Sequence, residues 1–189
     1  MIPSDHFVRF YNEVFKFLDE KKDLEDYYLE ISRHQELHCF NLFWEKGLKG
    51  MREYWDKITV EENCKRIVIE RPDGMESRMT RCPSLGKVLD SDAAPCRKYC
   101  EHCAGWVLPL MTKCGFYVVR NHVAWNKPEC ASLITESRQA AEEFYRKLRS
   151  ENTDTEQLFT NLKDWETVER NAACRRAENL EATVAEKKA

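Results

Sequence analysis

Cysteine is the residue type through which this 189-residue sequence could do chemistry, because the chain holds nine. The densest group spans the middle of the chain and consists of Cys82, Cys96, Cys100, Cys103 and Cys130. Thiolates that lie close together repel one another unless a metal or a cationic neighbour neutralises them, so such a group has a chemical cause. We therefore expect Cys82, Cys100, Cys103 and Cys130 to converge on one functional site.

One chemistry for this group is nucleophilic catalysis by a thiolate. Cys82 and Cys130 lie at the end and the start of predicted strands, where a thiol can face a pocket between sheet and helix. Either is therefore a candidate nucleophile. The helix that carries Cys100 and Cys103 would form the opposite wall of this pocket, with Trp106 on its apolar side.

The dipole of that helix adds an electrostatic argument. Cys96 and Cys100 lie in or before its predicted first turn, where the positive end of the dipole lowers the pKa of a thiol. Arg97 and Lys98 act in the same direction. We expect the pKa values of these two cysteines to be lowered.

A second chemistry is metal binding through Cys82, Cys100, Cys103 and Cys130. The Cys100-x-x-Cys103 pair has the local spacing of a zinc or Fe–S ligand pair, although a second pair of this kind is missing. The alternative without chemistry is that these thiols are free and serve only as small core residues.

The histidines offer further candidate ligands and pocket residues. His34 and His38 are spaced i, i+4 on a predicted helix and could chelate one metal, so we predict that both face the cysteine site; a solvated helix face is the alternative. His102 lies between the two cysteines of the Cys-x-x-Cys pair and is expected to point off their face, so that it is either at the surface or next to the ligands rather than a ligand itself. His122 shares a strand face with Val118 and is a candidate pocket residue.

Composition and charge exclude several classes of function. Lys and Arg number 30 against 33 Asp and Glu, so a net charge of −3 excludes a generic basic nucleic-acid footprint. No apolar run reaches the roughly 18 residues of a membrane span, and the first residues lack the pattern of a secretory signal. Only six glycines are present, and no glycine-rich phosphate-binding motif occurs. We expect a cytoplasmic protein whose partner is a small molecule, not nucleic acid or membrane.

The elements that must position these residues follow from hydrophobic periodicity. Helical spacing dominates the first third of the chain, and the pattern then changes to strands after Cys64. Pro72-Asp73-Gly74 predicts a hairpin turn, with Gly74 at positive φ. The remaining elements are predicted as a helix over 97–113 that kinks or stops near Leu108 before Pro109 and ends at Gly115, strands over 116–125 and 130–135, and a helix over 137–148.

This order predicts an α+β fold in which a helical N-terminal region packs on a four-stranded antiparallel sheet, followed by C-terminal helices. A single domain is expected over residues 1–150. Residues 151–189 are expected to form a helical tail.

The order of these features also resembles the L-2-amino-thiazoline-4-carboxylic acid hydrolase-like proteins. The resemblance covers about residues 5–150 and rests on the helical N-terminal region, Arg81-Cys82-Pro83 at a strand end, a middle cysteine and Cys130 near the start of a strand. In that family, cysteines serve the ring-opening hydrolysis of a thiazoline. Cys96 and the Cys-x-x-Cys pair depart from the family's pattern.

The leading hypothesis is therefore a small cysteine-dependent, hydrolase-like enzyme that acts on a small heterocyclic or amide-like metabolite. The first alternative is a non-catalytic module that binds zinc or an Fe–S cluster through the four cysteines. The second is an interaction protein whose amphipathic C-terminal tail docks a partner.

Overall fold

The computed structural model of the chain describes residues 3–35, 39–91, 93–151 and 157–186. The predicted α+β class is confirmed. The helices are α1 (Pro3–Lys21), α2 (Leu24–Gln35), α3 (Asn41–Glu61), α4 (Pro83–Asp90), α5 (Glu101–Cys114), α6 (Arg138–Glu151) and α7 (Trp165–Glu186). The strands are β1 (Lys65–Arg71), β2 (Gly74–Arg81), β3 (Tyr117–His122), β4 (Cys130–Thr135) and β5 (Leu158–Thr160). Within these ranges, no helix has the length and apolar character needed to cross a membrane.

The strands form one antiparallel sheet in the order β1-β2-β4-β3-β5. The predicted hairpin joins β1 to β2, with Arg71 paired to Gly74. The prediction of positive φ at Gly74 is wrong, since the glycines with positive φ are Gly47 and Gly115. Gly74 is needed for space, because a Cβ atom there would lie 2.4 Å from the carbonyl oxygen of Ile134 on β4.

The sheet has five strands where the sequence predicted four. The extra strand, β5, pairs with β3 through Val119 and Thr160, and is too short to show a strand period. Helix α7 then packs against the end of α5, where a Cβ atom on Gly115 would lie only 2.3 Å from the backbone nitrogen of Ala172. The segment after residue 151 thus contributes both a strand and a helix to the packed fold.

Helix α5 differs from its prediction at its start and at Pro109. It begins at Glu101, and the preceding residues form turns in which the Tyr99 and Glu101 amides donate to the Cys96 and Lys98 carbonyls. Of the predicted kink or stop near Leu108, the stop is wrong, because the helix continues through Pro109 to its end at Cys114. Gly115 ends it in the left-handed conformation (φ 76°), as predicted.

The two faces of the sheet are covered by different helices. On β3, Tyr117 and Val119 belong to a buried cluster with residues of α6 and α7, whereas Val118 belongs to a cluster with residues of α3 and α5. Because side chains alternate along a strand, Arg120 lies on the same face as Val118. This alternation places Arg120 opposite α5.

Candidate active site

A cavity of about 480 Å³ lies between the sheet and helices α1, α3 and α5. Most of its wall is apolar or aromatic. Residues of this apolar wall include Trp55, Ile58, Val68, Met75, Val118 and Ile134. A volume of this size and a mostly apolar lining with few polar groups are typical of ligand-binding sites.

The sheet supplies its polar residues to the cavity through strand alternation. Arg120 pairs with Ser132, and the next pair on the same face is His122 with Cys130. Arg120, Ser132 and Cys130 all line the cavity. Helix α5 supplies Cys103 from the opposite side.

The structure brings three of the four predicted cysteines to this cavity. Cys82, Cys103 and Cys130 line it, whereas Cys100 is buried in the neighbouring cluster of α1, α2 and α4. Burial raises the pKa of Cys100, and the charges of Cys103, Cys82 and Cys130 raise it further. The four sulfur atoms therefore lie within electrostatic range of one another.

His102 contacts Cys103 directly. Its Nε2 atom lies 3.4 Å from Cys103 Sγ, and its Nδ1 atom donates to the carbonyl oxygen of Tyr99. That second hydrogen bond orients the ring and leaves Nε2 for the sulfur atom. Of the two expected positions of His102, the one at the surface is wrong: the ring is buried against Phe15, Tyr99 and Trp106, with centroid distances of 5.5, 5.1 and 4.7 Å.

Arg120 brings a second positive charge to the same end of the cavity. Its Nη2 atom donates to Cys130 Sγ over 3.6 Å, and its Nε atom is buried with no hydrogen-bond partner. Among the described residues, no carboxylate forms an ion pair with this guanidinium. The acidic groups that act on it are therefore cysteine thiols, Cys103 first among them.

These neighbours lower the pKa of Cys103. Burial raises that pKa, but the positive charges of His102 and Arg120 and the hydrogen bond from His102 outweigh burial and bring it to about 6. Burial lowers the pKa of His102, yet the charge of Cys103 and its hydrogen bonds to Cys103 and Tyr99 raise it overall. Between these two pKa values, the pair is a thiolate and an imidazolium.

The other cysteines that line the cavity have raised pKa values, and Cys64 is one of them, because burial raises its pKa. Burial raises the pKa of Cys82 to about 12, with a further contribution from the charge of Cys103. Burial also raises the pKa of Cys130 by more than Arg120 lowers it. Sequence reasoning selected Cys82 and Cys130 as candidate nucleophiles, but the surroundings of Cys103 favour the thiolate far more. The signal that could have found it is a histidine directly before a cysteine at the start of a helix.

The predicted effect of the helix dipole on Cys96 and Cys100 is wrong. Burial raises the pKa of both thiols. Because α5 begins only at Glu101, neither cysteine lies inside the helix, and loss of solvent outweighs any gain from its positive end.

Of the other residues predicted to belong to the site, the structure brings Trp106 but not His34 to the cavity. Trp106 lines the cavity. His34 does not: its imidazole is exposed and lies 3.6 Å from the carboxylate of Glu30, so the prediction that it faces the cysteines is wrong. His38 lies outside the described residues, as does the side chain of His122.

A metal site was the alternative use of the cysteines. Within residues 3–35, 39–91, 93–151 and 157–186, no group of three or more His, Cys, Asp or Glu side chains is arranged to hold a metal ion. The zinc or Fe–S hypothesis gains no support from this arrangement and stays a prediction.

The chain matches no protein-family model, no curated protein and no solved structure. The resemblance to thiazoline hydrolase-like proteins is therefore a hypothesis that depends on the order of elements and the cysteine positions alone.

Proposed function

We propose that this protein is a small cysteine-dependent hydrolase that cleaves an amide-like C–N bond, with Cys103 as the nucleophile. The observation that carries the proposal is the contact between His102 Nε2 and Cys103 Sγ beside a cavity large enough for a ligand. A nucleophile, a base in contact with it and a third group that orients the base are the usual components of covalent catalysis. Here the third group is the Tyr99 carbonyl.

The first step is attack by the Cys103 thiolate on the carbon of the scissile bond. Because the proton already resides on His102, no proton has to leave the sulfur during attack. The new S–C bond forms first and gives a tetrahedral intermediate, and the C–N bond then breaks as the leaving nitrogen takes the proton from His102 Nε2. The products of this step are a thioester on Cys103 and a free amine.

The second step is hydrolysis of that thioester. His102 is now neutral, so its Nε2 atom can accept a proton from a water molecule that attacks the thioester carbon. The C–S bond breaks and the electron pair returns to sulfur. The acid product leaves, and the thiolate and imidazolium are restored.

Arg120, Cys82 and Cys130 have supporting roles in this proposal. Arg120 supplies positive charge that favours the thiolate form of Cys103, and it is held in place by its hydrogen bond to Cys130. Cys82 and Cys130 keep their protons because burial raises their pKa values. They therefore form part of the wall and compete poorly as nucleophiles.

Alkylation with iodoacetamide at pH 6.5 tests this assignment, because an ordinary thiol is almost fully protonated there. We expect one rapidly modified cysteine in the folded protein, identified as Cys103 by mass spectrometry. The Cys103→Ser variant should lose the rapid phase, whereas Cys82→Ser, Cys130→Ser and the exposed-site control Cys174→Ser should retain it. A rapid phase that survives Cys103→Ser would remove this residue from the proposal.

A further inference from the structure

The cavity contains buried donors that no described residue satisfies. Three side-chain nitrogen atoms are buried without a hydrogen-bond partner and belong to residues of the cavity wall: Arg66 Nε, Trp106 Nε1 and Arg120 Nε. Buried donors in native proteins are almost always paired with an acceptor. The unmatched donors therefore point to a ligand that brings its own acceptor oxygen.

Two of these donors belong to cavity residues near Cys103. Trp106 follows Cys103 by three residues on α5, a spacing that places both side chains on one helix face. Arg120 comes from the sheet on the opposite wall, and its charge acts directly on Cys103. A carbonyl group attacked by this sulfur would thus lie between the helix that carries one donor and the sheet that carries the other.

Arg66 does not belong to this pair. It lies on β1, and two strands separate β1 from the strand that carries Arg120, a distance of about 14 Å at the usual spacing between strands. Its guanidinium also forms an ion pair with Asp56 at 3.4 Å.

The rest of the cavity is suited to binding an apolar hydrocarbon chain. An amide group of a few atoms fills a small part of about 480 Å³, and the space beyond it is bounded by side chains such as Trp55, Val68, Met75 and Ile134. Phe7 of α1 is another wall residue and is mostly exposed, so the apolar surface continues outward along α1. A polar small molecule would leave most of this surface in contact with water.

We propose that the substrate is an N-acyl compound with a long apolar acyl chain, and that Trp106 Nε1 and Arg120 Nε bind its carbonyl oxygen. This inference depends on the proposed function, because the carbonyl carbon must be the atom that Cys103 attacks. During attack, the π electrons of the carbonyl move to its oxygen, and the two donors stabilise the resulting negative charge. When the intermediate collapses, those electrons re-form the carbonyl and the C–N bond breaks.

The substrate class is tested with acetyl, hexanoyl and decanoyl 4-nitroanilides. Each buried methylene contributes about fourfold to binding in an apolar site, so kcat/KM should rise at least 100-fold from the acetyl to the decanoyl compound. A value of kcat/KM that does not change with chain length would overturn the proposal.

A binding experiment separates this inference from the proposed function. The Cys103→Ser protein is titrated with acetamide, hexanamide and decanamide, and binding is followed by calorimetry. We expect affinity to increase with chain length even though no reaction can occur. If chain length has no effect while Cys103 of the unmodified protein is still hyper-reactive, the acyl-chain assignment alone is wrong. If chain length matters but no anilide is hydrolysed, the hydrolase assignment is the one that fails.

The donor role of Trp106 is tested with Trp106→Phe, which removes the N–H group and keeps an aromatic ring. We expect kcat for the decanoyl anilide to fall about 100-fold, as for the loss of one oxyanion donor, with little change in KM. The pH dependence of Cys103 alkylation should not move. Trp44→Phe is the control, since its Nε1 atom donates to Glu178 on the exposed surface at 2.8 Å. An unchanged kcat for Trp106→Phe would contradict the role.

Discussion

The Nε2 atom of His102 lies 3.4 Å from the Sγ atom of Cys103, although consecutive helical residues point about 100° apart. The contact depends on where α5 begins. Because Tyr99 precedes the helix, its carbonyl is available to accept a hydrogen bond from His102 Nδ1. That bond turns the imidazole so that its other nitrogen faces the neighbouring sulfur.

The pH dependence of Cys103 alkylation is the first prediction. Only the thiolate reacts, and the fraction of thiolate grows as pH rises through the pKa. With a pKa of about 6, the rate should increase around pH 6 and level off near neutrality. Rates measured from pH 4.5 to 9.5 with site assignment by mass spectrometry check this. A midpoint near 8.5, the value of an ordinary thiol, would contradict it.

Replacement of His102 by glutamine should raise the pKa of Cys103. The variant keeps a polar side chain of similar length but has no positive charge. The Cys103 thiolate therefore loses the largest of the interactions that stabilise it. At pH 6.5, the alkylation rate should fall about tenfold or more, which corresponds to at least one pKa unit. His34→Gln is the matched control, because His34 is exposed and lies outside the cavity wall. Equal rates in the two variants would count against the pair.

Arg120 variants separate the effect of charge from that of hydrogen bonding. Arg120→Met removes the positive charge and should also raise the midpoint of Cys103 alkylation. Arg120→Lys keeps the charge but lacks the planar fork and the Nε donor, so its midpoint should stay close to that of the unmodified protein. The two pH profiles, measured side by side, provide the comparison. If Met and Lys give the same midpoint, charge is not the means by which Arg120 acts.

Alanine at Gly115 should destabilise the fold. Its φ of 76° disfavours any residue with a Cβ atom, and that atom would lie 2.3 Å from the Ala172 backbone nitrogen. We expect the free energy of unfolding to fall by about 2–4 kcal/mol, within the range of strained or overpacked sites. Gly86→Ala is the control, since Gly86 lies inside α4, where a Cβ atom would make only an ordinary contact of 3.8 Å with Pro128 Cβ, and this variant should gain about 0.5–1 kcal/mol. Urea unfolding of both variants measures the difference, and equal midpoints would argue against the close contact.

Asn161 holds β3 against α5 and should be sensitive to truncation. Its Oδ1 atom accepts from the Val118 amide, and its Nδ2 atom donates to Thr112 Oγ1 and the Phe116 carbonyl. Asn161→Ala leaves these buried groups unpaired, so we expect a loss of about 2–4 kcal/mol in the free energy of unfolding. Asn126→Ala, at an exposed turn, should change stability by less than about 0.5 kcal/mol. A loss at Asn161 no larger than that control would show that this network is dispensable.

Local patterns in the sequence were sufficient to predict much of the fold. The β1–β2 hairpin, the strand that begins at Cys130 and the end of α5 at Gly115 are as predicted, since turn residues, strand periodicity and a C-terminal glycine act over a few residues. The pattern also identified the cysteine-rich region, of which Cys82, Cys103 and Cys130 reach the cavity. Strand β5 escaped detection because three residues cannot show a period.

Only the tertiary structure decided which thiol is activated. A pKa depends on burial and on the distance to nearby charges, and neither can be read from the order of residues. Cys82 and Cys103 both line the cavity, yet burial raises the pKa of one to about 12 whereas His102 and Arg120 lower that of the other to about 6. The sequence supplied the cysteines and the histidine beside one of them. The pairing of β3 with β4 and the packing of α5 over that face placed Arg120 opposite Cys103, which is why this sulfur alone among the cavity cysteines has a lowered pKa.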